Sequence, residues 1–98
     1  MSALPILTIL KDGETIKSQP IENEIMVGRG ESCIVRLEDR AVSRQHATFR
    51  AVPEGIRVDK KSEFAPLKIN GAESTGAVVR EGDVIEIGPY LAKIAYPK

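Results

Sequence analysis

Short apolar runs alternate with turn signals along almost the whole chain. Turn signals that recur roughly every eight to twelve residues are typical of an all-β sandwich or barrel. In one of these runs, Val35 and Leu37 fall on one face of a strand, and Ile34 and Arg36 fall on the other. The predicted strands are residues 6–10, 15–18, 24–27, 34–37, 46–52, 56–58, 67–69, 77–79, 84–87 and 90–96.

Turn-forming residues occupy the gaps between these runs. Asp12-Gly13 and Asn70-Gly71 are pairs that favour tight hairpin turns, and Pro53-Glu54-Gly55 ends a further run. The chain shows no sustained period of an amphipathic helix. We therefore predict an all-β fold, a two-sheet antiparallel β-sandwich, whose connecting loops gather at its ends and carry the function.

The size of the chain sets the number of domains. It has 98 residues, 42% of them hydrophobic, which is enough for one compact core and too little for two. Ile, Val, Leu and Ala dominate the apolar set, and β-branched side chains favour pleated strands. We therefore predict a single domain over residues 1–98. Because the chain opens with Met1 and ends just past the last predicted strand, we expect a standalone module or a trimmed N-terminal domain of a longer chain.

Charge is balanced overall but unevenly distributed. Basic and acidic residues number 14 each, which argues against a nucleic-acid partner, since such binding neutralises many phosphates. Between residues 29 and 50, however, every cation is an arginine, the side chain that forks two hydrogen bonds to a phosphate or carboxylate. These arginines are Arg29, Arg36, Arg40, Arg44 and Arg50. We expect Arg36 and Arg50 to be ordinary exposed strand residues.

Several classes of site and location are excluded by what the chain contains. Cys33 and His46 are the single cysteine and histidine, so a disulfide within the chain and a zinc site of Cys and His ligands are not available. The first five residues lack the basic start and apolar stretch of a signal peptide. No apolar run approaches the roughly 20 residues that span a membrane. We expect a cytoplasmic location, with no metal and no membrane partner.

An ordered set of motifs carries a family resemblance. The motifs are Val27-Gly28-Arg29, residues 33–39, residues 42–47, Asn70-Gly71 and residues 81–88. Gly-Arg or Asn-Gly alone is uninformative, but Gly-Arg followed at this spacing by Ser-Arg-x-His is specific. Over nearly its whole length the chain resembles the forkhead-associated (FHA) family. The resemblance implies an eleven-stranded FHA/SMAD-like β-sandwich without a cofactor, which binds phosphothreonine peptides with the loops at one end.

Arg29 is the candidate anchor for the phosphate. A phosphothreonine brings about −1.5 to −2 charges and three acceptor oxygens. Gly28 and Gly30 flank Arg29 and can take backbone shapes closed to other residues, which would bring a guanidinium and N–H groups close to a ligand. The alternative is that Arg29 ends a strand and pairs with Glu31 or Glu38.

Ser43 and Arg44 follow in the next loop. By resemblance, the Ser43 hydroxyl binds a phosphate oxygen, and Arg44 contacts the phosphate or the peptide backbone. The alternative for Ser43 is an ordinary turn residue that bonds its own backbone.

His46 invites a catalytic interpretation with Asp39 and Ser43, which we reject. The nucleophile elbow needs a Gly-x-Ser-x-Gly turn, and residues 41–45 contain no glycine. By resemblance, His46 lies buried beneath the loop and steadies it. We expect the protein not to be an enzyme.

The chain departs from the family pattern before the Asn-Gly turn. By resemblance, Asn70 and Gly71 close a turn between two strands and brace the peptide-binding loops. The alternative is a purely structural role in the turn, because Asn and Gly tolerate positive φ. Family members place Ser/Thr-Asn-Gly ahead of that turn, and the asparagine grips the peptide. Here Ser62 fits the start of the element and is predicted to contact the phosphopeptide, but Glu63 and Phe64 follow it. Phe64 is either a buried plug or an exposed contact for an apolar peptide side chain.

The expected function is therefore binding of a threonine-phosphorylated protein or peptide, through Arg29, Ser43 and Arg44, as in signalling modules. The alternative is a degenerate FHA domain used for phosphate-independent contact or self-association, which the altered loop at residues 62–66 would suit.

Overall fold

The computed structural model describes residues 4–97, and this part of the chain forms eleven β-strands. The features predicted at residues 1–3 and 98 lie outside it. None of the described residues forms a helix, so no membrane-spanning helix occurs among them. The strands are β1 (Ile6–Lys11), β2 (Glu14–Pro20), β3 (Ile25–Gly28), β4 (Val35–Arg36), β5 (Ala47–Val52), β6 (Gly55–Lys60), β7 (Lys68–Ile69), β8 (Ala72–Glu73), β9 (Gly76–Val79), β10 (Ile85–Ile87) and β11 (Tyr90–Ala95).

The strands form two sheets. One has the order β2-β1-β11-β10-β7-β8 and the other β4-β3-β5-β6-β9. This confirms the predicted two-sheet β-sandwich. One pair differs from the antiparallel expectation: β3 and β4 run parallel, with Val27 opposite Val35. The loop between them folds back on itself, with Cys33 N–H donating to Gly30 O at 3.1 Å, and Leu37 N–H donates to Gly28 O at 2.8 Å where β4 lies beside β3.

The core lies between the two sheets and follows the alternation of each strand. Leu7 and Ile9 of β1 and Ile85 and Ile87 of β10 are fully buried on the inner face of one sheet, and Phe49 is the largest buried side chain of the other. Complete burial of one such side chain contributes about 1.5–3 kcal/mol. Most of the buried hydrophobic residues form one continuous cluster.

Two hairpin turns have the geometry expected from their residues. Asp12 and Gly13 have φ values of 53° and 82°, and Asn70 and Gly71 have values of 53° and 86°. Positive φ at both central residues is the requirement of a type I′ turn, which Asn-Gly and Asp-Gly meet at low cost. The turns join β1 to β2 and β7 to β8.

Candidate functional site

Three loops meet at one end of the sandwich and enclose an open groove of about 1110 Å³. They are the β3–β4 loop, the β4–β5 loop and the β6–β7 loop. The first contributes residues 29–32 to the groove, the second Arg40 and residues 42–45, and the third residues 61–64. The structure thus brings together Arg29, Ser43, Arg44 and Ser62, which were predicted from separate motifs.

The two glycines beside Arg29 are required by close packing. The N–H of Arg29 donates to Ser43 O at 2.8 Å, and the N–H of Gly30 donates to Arg44 O at 3.0 Å. A Cβ at Gly28 would lie 2.8 Å from Ser43 O, and one at Gly30 would lie 2.9 Å from Arg44 O. Neither glycine is among those with positive φ. The predicted reason, an unusual backbone shape, is therefore wrong. Two backbones approach here more closely than a side chain permits.

The Arg29 side chain is exposed and lines the groove. Its Nε donates to Val42 O at 3.1 Å, so one edge of the guanidinium is tied to the β4–β5 loop. Glu38 pairs with Arg36 instead, at 3.5 Å, and no carboxylate of residues 4–97 lies within salt-bridge distance of Arg29. The alternative of an ion pair with Glu31 or Glu38 is therefore not formed.

Two serine hydroxyls from different loops form a hydrogen bond whose donor can be assigned. Ser43 Oγ lies 2.6 Å from Ser62 Oγ, and Ser62 Oγ also accepts hydrogen bonds from Phe64 N at 3.1 Å and Ala65 N at 3.0 Å. A hydroxyl has one proton and two lone pairs. Both lone pairs of the buried Ser62 hydroxyl are engaged, so its proton points to Ser43 Oγ. The Ser43 proton is left to donate to another acceptor.

His46 is fully buried and uses both ring nitrogens to hold the loops. Ser43 N–H donates to Nδ1 at 3.2 Å, and Nε2–H donates to Pro66 O at 2.9 Å, which fixes the neutral tautomer. Burial lowers the pKa of His46 below its usual 6.5, the bond to Pro66 O partly raises it, and the charge of Lys60 lowers it.

The three residue types of a hydrolytic triad are not arranged as one. His46 bonds the backbone of Ser43 and not its hydroxyl. The Asp39 carboxylate accepts the N–H of Ala41 at 2.9 Å. A relay of protons from the Ser43 hydroxyl through His46 to Asp39 therefore has no hydrogen bonds to follow.

The groove is positive although the whole chain is neutral. It is lined by four cations and two carboxylates: Arg29, Arg40, Arg44, Lys61, Glu31 and Glu63. Within the described part of the chain, the ion pairs involve Arg36 and Arg57, outside the groove. The cations of the groove are thus free to meet an anion.

Cys33 supports the site and was missed as a functional residue. It is buried, its Sγ–H donates to Arg44 O at 3.0 Å, and its N–H donates to Gly30 O at 3.1 Å. No local pattern in the sequence indicates this role, because the partner Arg44 lies 11 residues further along the chain. Arg40 and Lys61 also line the groove without having been predicted there.

Asn70 and Gly71 lie outside the groove. Asn70 Nδ2 donates to Asp83 Oδ1 at 3.0 Å, and Val84 N donates to Asn70 Oδ1 at 2.9 Å. The hydrogen bond from Asn70 and one from the backbone of Arg80 lower the pKa of Asp83. Because its amide is engaged there, Asn70 braces the β9–β10 turn and not the groove loops predicted for it.

Phe64 stands on the rim of the groove, and its ring is not a plug. The residue is 94% exposed. Of the two alternatives left by the sequence, the buried plug is thereby excluded.

Comparison with known proteins places the chain among relatives of one fold. A family model described as the inner membrane component of the type III secretion system (T3SS), cytoplasmic domain, matches residues 11–97. The ABC transporter ATP-binding/permease protein Rv1747 of Mycobacterium tuberculosis is 27% identical over 86 residues, or 88% of this chain. The chain spans 10% of the length of that transporter.

Solved structures give the same result. The FhaA FHA domain, complexed with the intracellular domain of Rv3910, is 25% identical, with a TM-score of 0.78 over 93% of this chain and 99% of that one. An FHA domain from a study of phosphothreonine-dependent FHA domain interactions has a TM-score of 0.80 at 23% identity, over 97% and 99%. The FHA domain of CT664 from Chlamydia trachomatis reaches 0.85 at 15% identity, over 98% and 100%. The last two show the fold alone.

Proposed function

Because the chain belongs to the family of T3SS inner membrane component cytoplasmic domains, which are of the FHA type, we propose that it is a phosphopeptide-binding module that recognises phosphothreonine in a partner protein. FHA domains are interaction modules and not enzymes, and we propose no catalysis for this chain. The description of the family as a cytoplasmic domain supports a cytoplasmic location.

One observation carries the proposal: the Arg29 guanidinium and the Ser43 hydroxyl line the same groove, and each has a donor to offer. The bond from Nε to Val42 O holds the guanidinium in place and leaves its other N–H groups for a ligand. The bond from Ser62 leaves the Ser43 proton available. A phosphate dianion supplies acceptors for both, and hydrogen bonds to ionised groups are about twice as strong as neutral ones.

The neighbouring residues take supporting roles. Arg44, exposed in the groove, contributes a second cation to the phosphate or to the peptide backbone. Ser62 was predicted to contact the phosphopeptide, but its buried hydroxyl is fully engaged, so its proposed role is to orient the Ser43 hydroxyl. Gly28 permits the close packing of the loops, and His46 holds them from below. The FhaA FHA domain, which is complexed with the intracellular domain of Rv3910, supports a protein partner for this groove.

The test of the ligand class is a titration of one peptide in three forms, carrying threonine, phosphothreonine or phosphoserine. We expect the phosphothreonine form to bind most tightly and the unmodified form to show little binding. Equal affinity for the threonine and phosphothreonine forms would contradict the proposal and favour the phosphate-independent alternative. Treatment of a partner with phosphatase, followed by a mass measurement of the complex in solution, gives the same distinction.

Arg29→Ala tests the anchor. A hydrogen bond to a charged group contributes about 1.5–3 kcal/mol, so we expect phosphopeptide affinity to fall roughly tenfold to a hundredfold. The matched control is Arg50→Ala, which removes an exposed strand arginine outside the groove. Both variants should keep the thermal unfolding midpoint of the parent within a few degrees. Normal binding by Arg29→Ala would show that the anchor is misassigned.

A further inference from the structure

Strand β2 forms a free edge of the six-stranded sheet. It pairs with β1 on one side, and no strand of residues 4–97 pairs with its other side. With seven residues, β2 is the longest of the four edge strands, since β4 and β8 have two residues each and β9 has four. The unpaired N–H and C=O groups of an edge strand can pair with a strand of another chain. Of the four edges, β2 therefore offers the longest surface for such pairing.

Two features of β2 already limit how much of its edge is regular. The register with β1 shifts at Ile16, because Ile9 lies opposite Lys17 whereas Leu10 lies opposite Thr15. Ile16 is thus the extra residue of a bulge, which twists the strand locally. At the end of β2, Pro20 has no N–H to offer. The regular part of the edge is the stretch between the bulge and the proline, residues 17–19.

Lys17, the first residue of this stretch, points toward the inside of the sandwich. It lies opposite Ile9, which is fully buried between the sheets, and directly opposed residues of an antiparallel pair share one face. Lys17 Nζ donates to Arg36 O of β4 at 2.6 Å. The exposed side chain thus crosses from the edge of one sheet to the edge strand of the other. A charge that points inward from an edge strand is one of the means by which proteins block edge-to-edge pairing.

We propose that the β2 edge is a surface for strand pairing with a second copy of this chain, and that Lys17 prevents this pairing in the native protein. The second copy fits because two identical edges related by a two-fold axis run antiparallel and present complementary backbone groups. Pairing through residues 17–19 would bring both Lys17 side chains together on the inner face of the joined sheet. Two like charges repel there, and the ammonium groups would lose water.

Lys17→Val tests the inference, because valine has no charge and favours strands. Sedimentation equilibrium over a range of concentrations should show the parent with the mass of one chain. The variant should approach the mass of two chains as its concentration rises, and the amides of residues 17–19 should then exchange more slowly with solvent. Lys17→Thr should behave in the same way, whereas Lys17→Arg, which keeps an inward charge, should stay a single chain. Thermal unfolding confirms that each variant is folded.

The matched control is Lys93→Val. Lys93 is exposed on β11, which pairs with β1 on one side and with β10 on the other. The control therefore loses the same charge and gains the same side chain without a free edge, and it should stay a single chain.

Three results would overturn the inference. They are folded Lys17→Val and Lys17→Thr variants that remain single chains, a parent that already pairs through β2, and equal association of Lys93→Val, which would assign association to added apolar surface. Lys17 does not line the groove, so these results are independent of whether the domain binds a phosphopeptide.

Discussion

At the scale of single residues, the donor role proposed for Ser43 depends on a neighbour from another loop. The Ser62 hydroxyl oxygen accepts hydrogen bonds from two backbone N–H groups, and its own proton therefore points to Ser43 Oγ. Without that proton, the Ser43 hydroxyl could rotate and present a lone pair to a phosphate oxygen, which would be repulsive. Ser62 is in this sense a positioning residue.

A double-mutant cycle tests this dependence. We expect Ser62→Ala to weaken binding of a phosphothreonine peptide several-fold in the parent and much less in the Ser43→Ala background, because residues in one hydrogen-bond network couple by about 0.5–3 kcal/mol. Peptide titrations of the four proteins measure the coupling. Ser18→Ala, on the exposed strand β2, is the control and should leave binding unchanged. Strictly additive losses would mean that the two hydroxyls act separately.

The sequence predicted which residues meet in the groove better than it predicted why they are there. The motifs that carry the family resemblance allowed four binding residues to be selected, and all four line the groove: Arg29, Ser43, Arg44 and Ser62. The reason for Gly28 could not be read from the sequence, since the carbonyl that approaches it belongs to a loop fifteen or more residues later.

Two other roles depended on contacts that sequence order does not reveal. Cys33 reaches the carbonyl of Arg44, a partner distant along the chain, and a lone cysteine gives no indication of such a bond. Asn70 fulfils the turn geometry that Asn-Gly predicts, yet the direction of its side chain toward Asp83 depends on the packing of the neighbouring turn.

At the scale of elements, His46 joins two loops that have no strand in common. It connects the β4–β5 loop, through Ser43 N, to the β6–β7 loop, through Pro66 O. Protonation of Nδ1 would place an N–H against the N–H of Ser43 and break the first connection. Burial is the largest cause of the lowered pKa of His46, the bond to Pro66 O acts in the opposite direction, and the charge of Lys60 lowers the pKa further.

The stability of the protein should therefore depend on pH near neutrality. The pKa of His46 is lower in the folded protein than in the unfolded chain, so the unfolded chain binds the proton first as pH falls. The contribution of neutral His46 to stability is therefore complete only above about pH 6.5. We expect the free energy of unfolding to decrease as pH falls from about 7 to 5. Urea titrations at several pH values measure it.

His46→Gln serves as the comparison for that titration. The chain has one histidine, and the lowered pKa of Asp83 acts only near and below its usual 3.8. The variant should be less stable at pH 7 and should lose the dependence between about pH 5 and 7. The same slope in both proteins would show that another group is responsible.

The strands were the most predictable elements. Each predicted run corresponds to an observed strand, with ends displaced by a few residues, because alternation and turn residues are local signals. β8 was not predicted, since two exposed residues carry no apolar pattern. The parallel pairing of β3 and β4 was not predicted either, because it depends on how the intervening loop packs against the β4–β5 loop.

At the scale of the whole molecule, a neutral chain carries a local excess of cations in the groove at one end. Equal numbers of acidic and basic residues leave the molecule without a net charge. The groove nevertheless holds Arg29, Arg40, Arg44 and Lys61 against two carboxylates. Attraction of a phosphopeptide should therefore be local to this end, with little repulsion or steering from the rest of the surface.

Binding of the phosphothreonine peptide should accordingly weaken with salt. The screening length falls from about 10 Å at 0.1 M to about 3 Å at 1 M ionic strength, so we expect affinity to fall several-fold over that range. Titrations in increasing NaCl measure it. Arg40→Ala should reduce the salt dependence, whereas Arg50→Ala should not. An affinity that is independent of salt would contradict a role for the charge of the groove.

The close packing at Gly28 and Gly30 has a consequence for how a ligand is received. Two backbone hydrogen bonds join the β3–β4 loop to the β4–β5 loop, and the space between the loops does not admit a methyl group. Neither loop can therefore move away from the groove without moving the other. The groove is therefore preorganised, and its rearrangement costs little of the free energy of association. Recognition should then resemble lock-and-key docking, with differences in residence time, more than in encounter rate, separating good partners from poor ones.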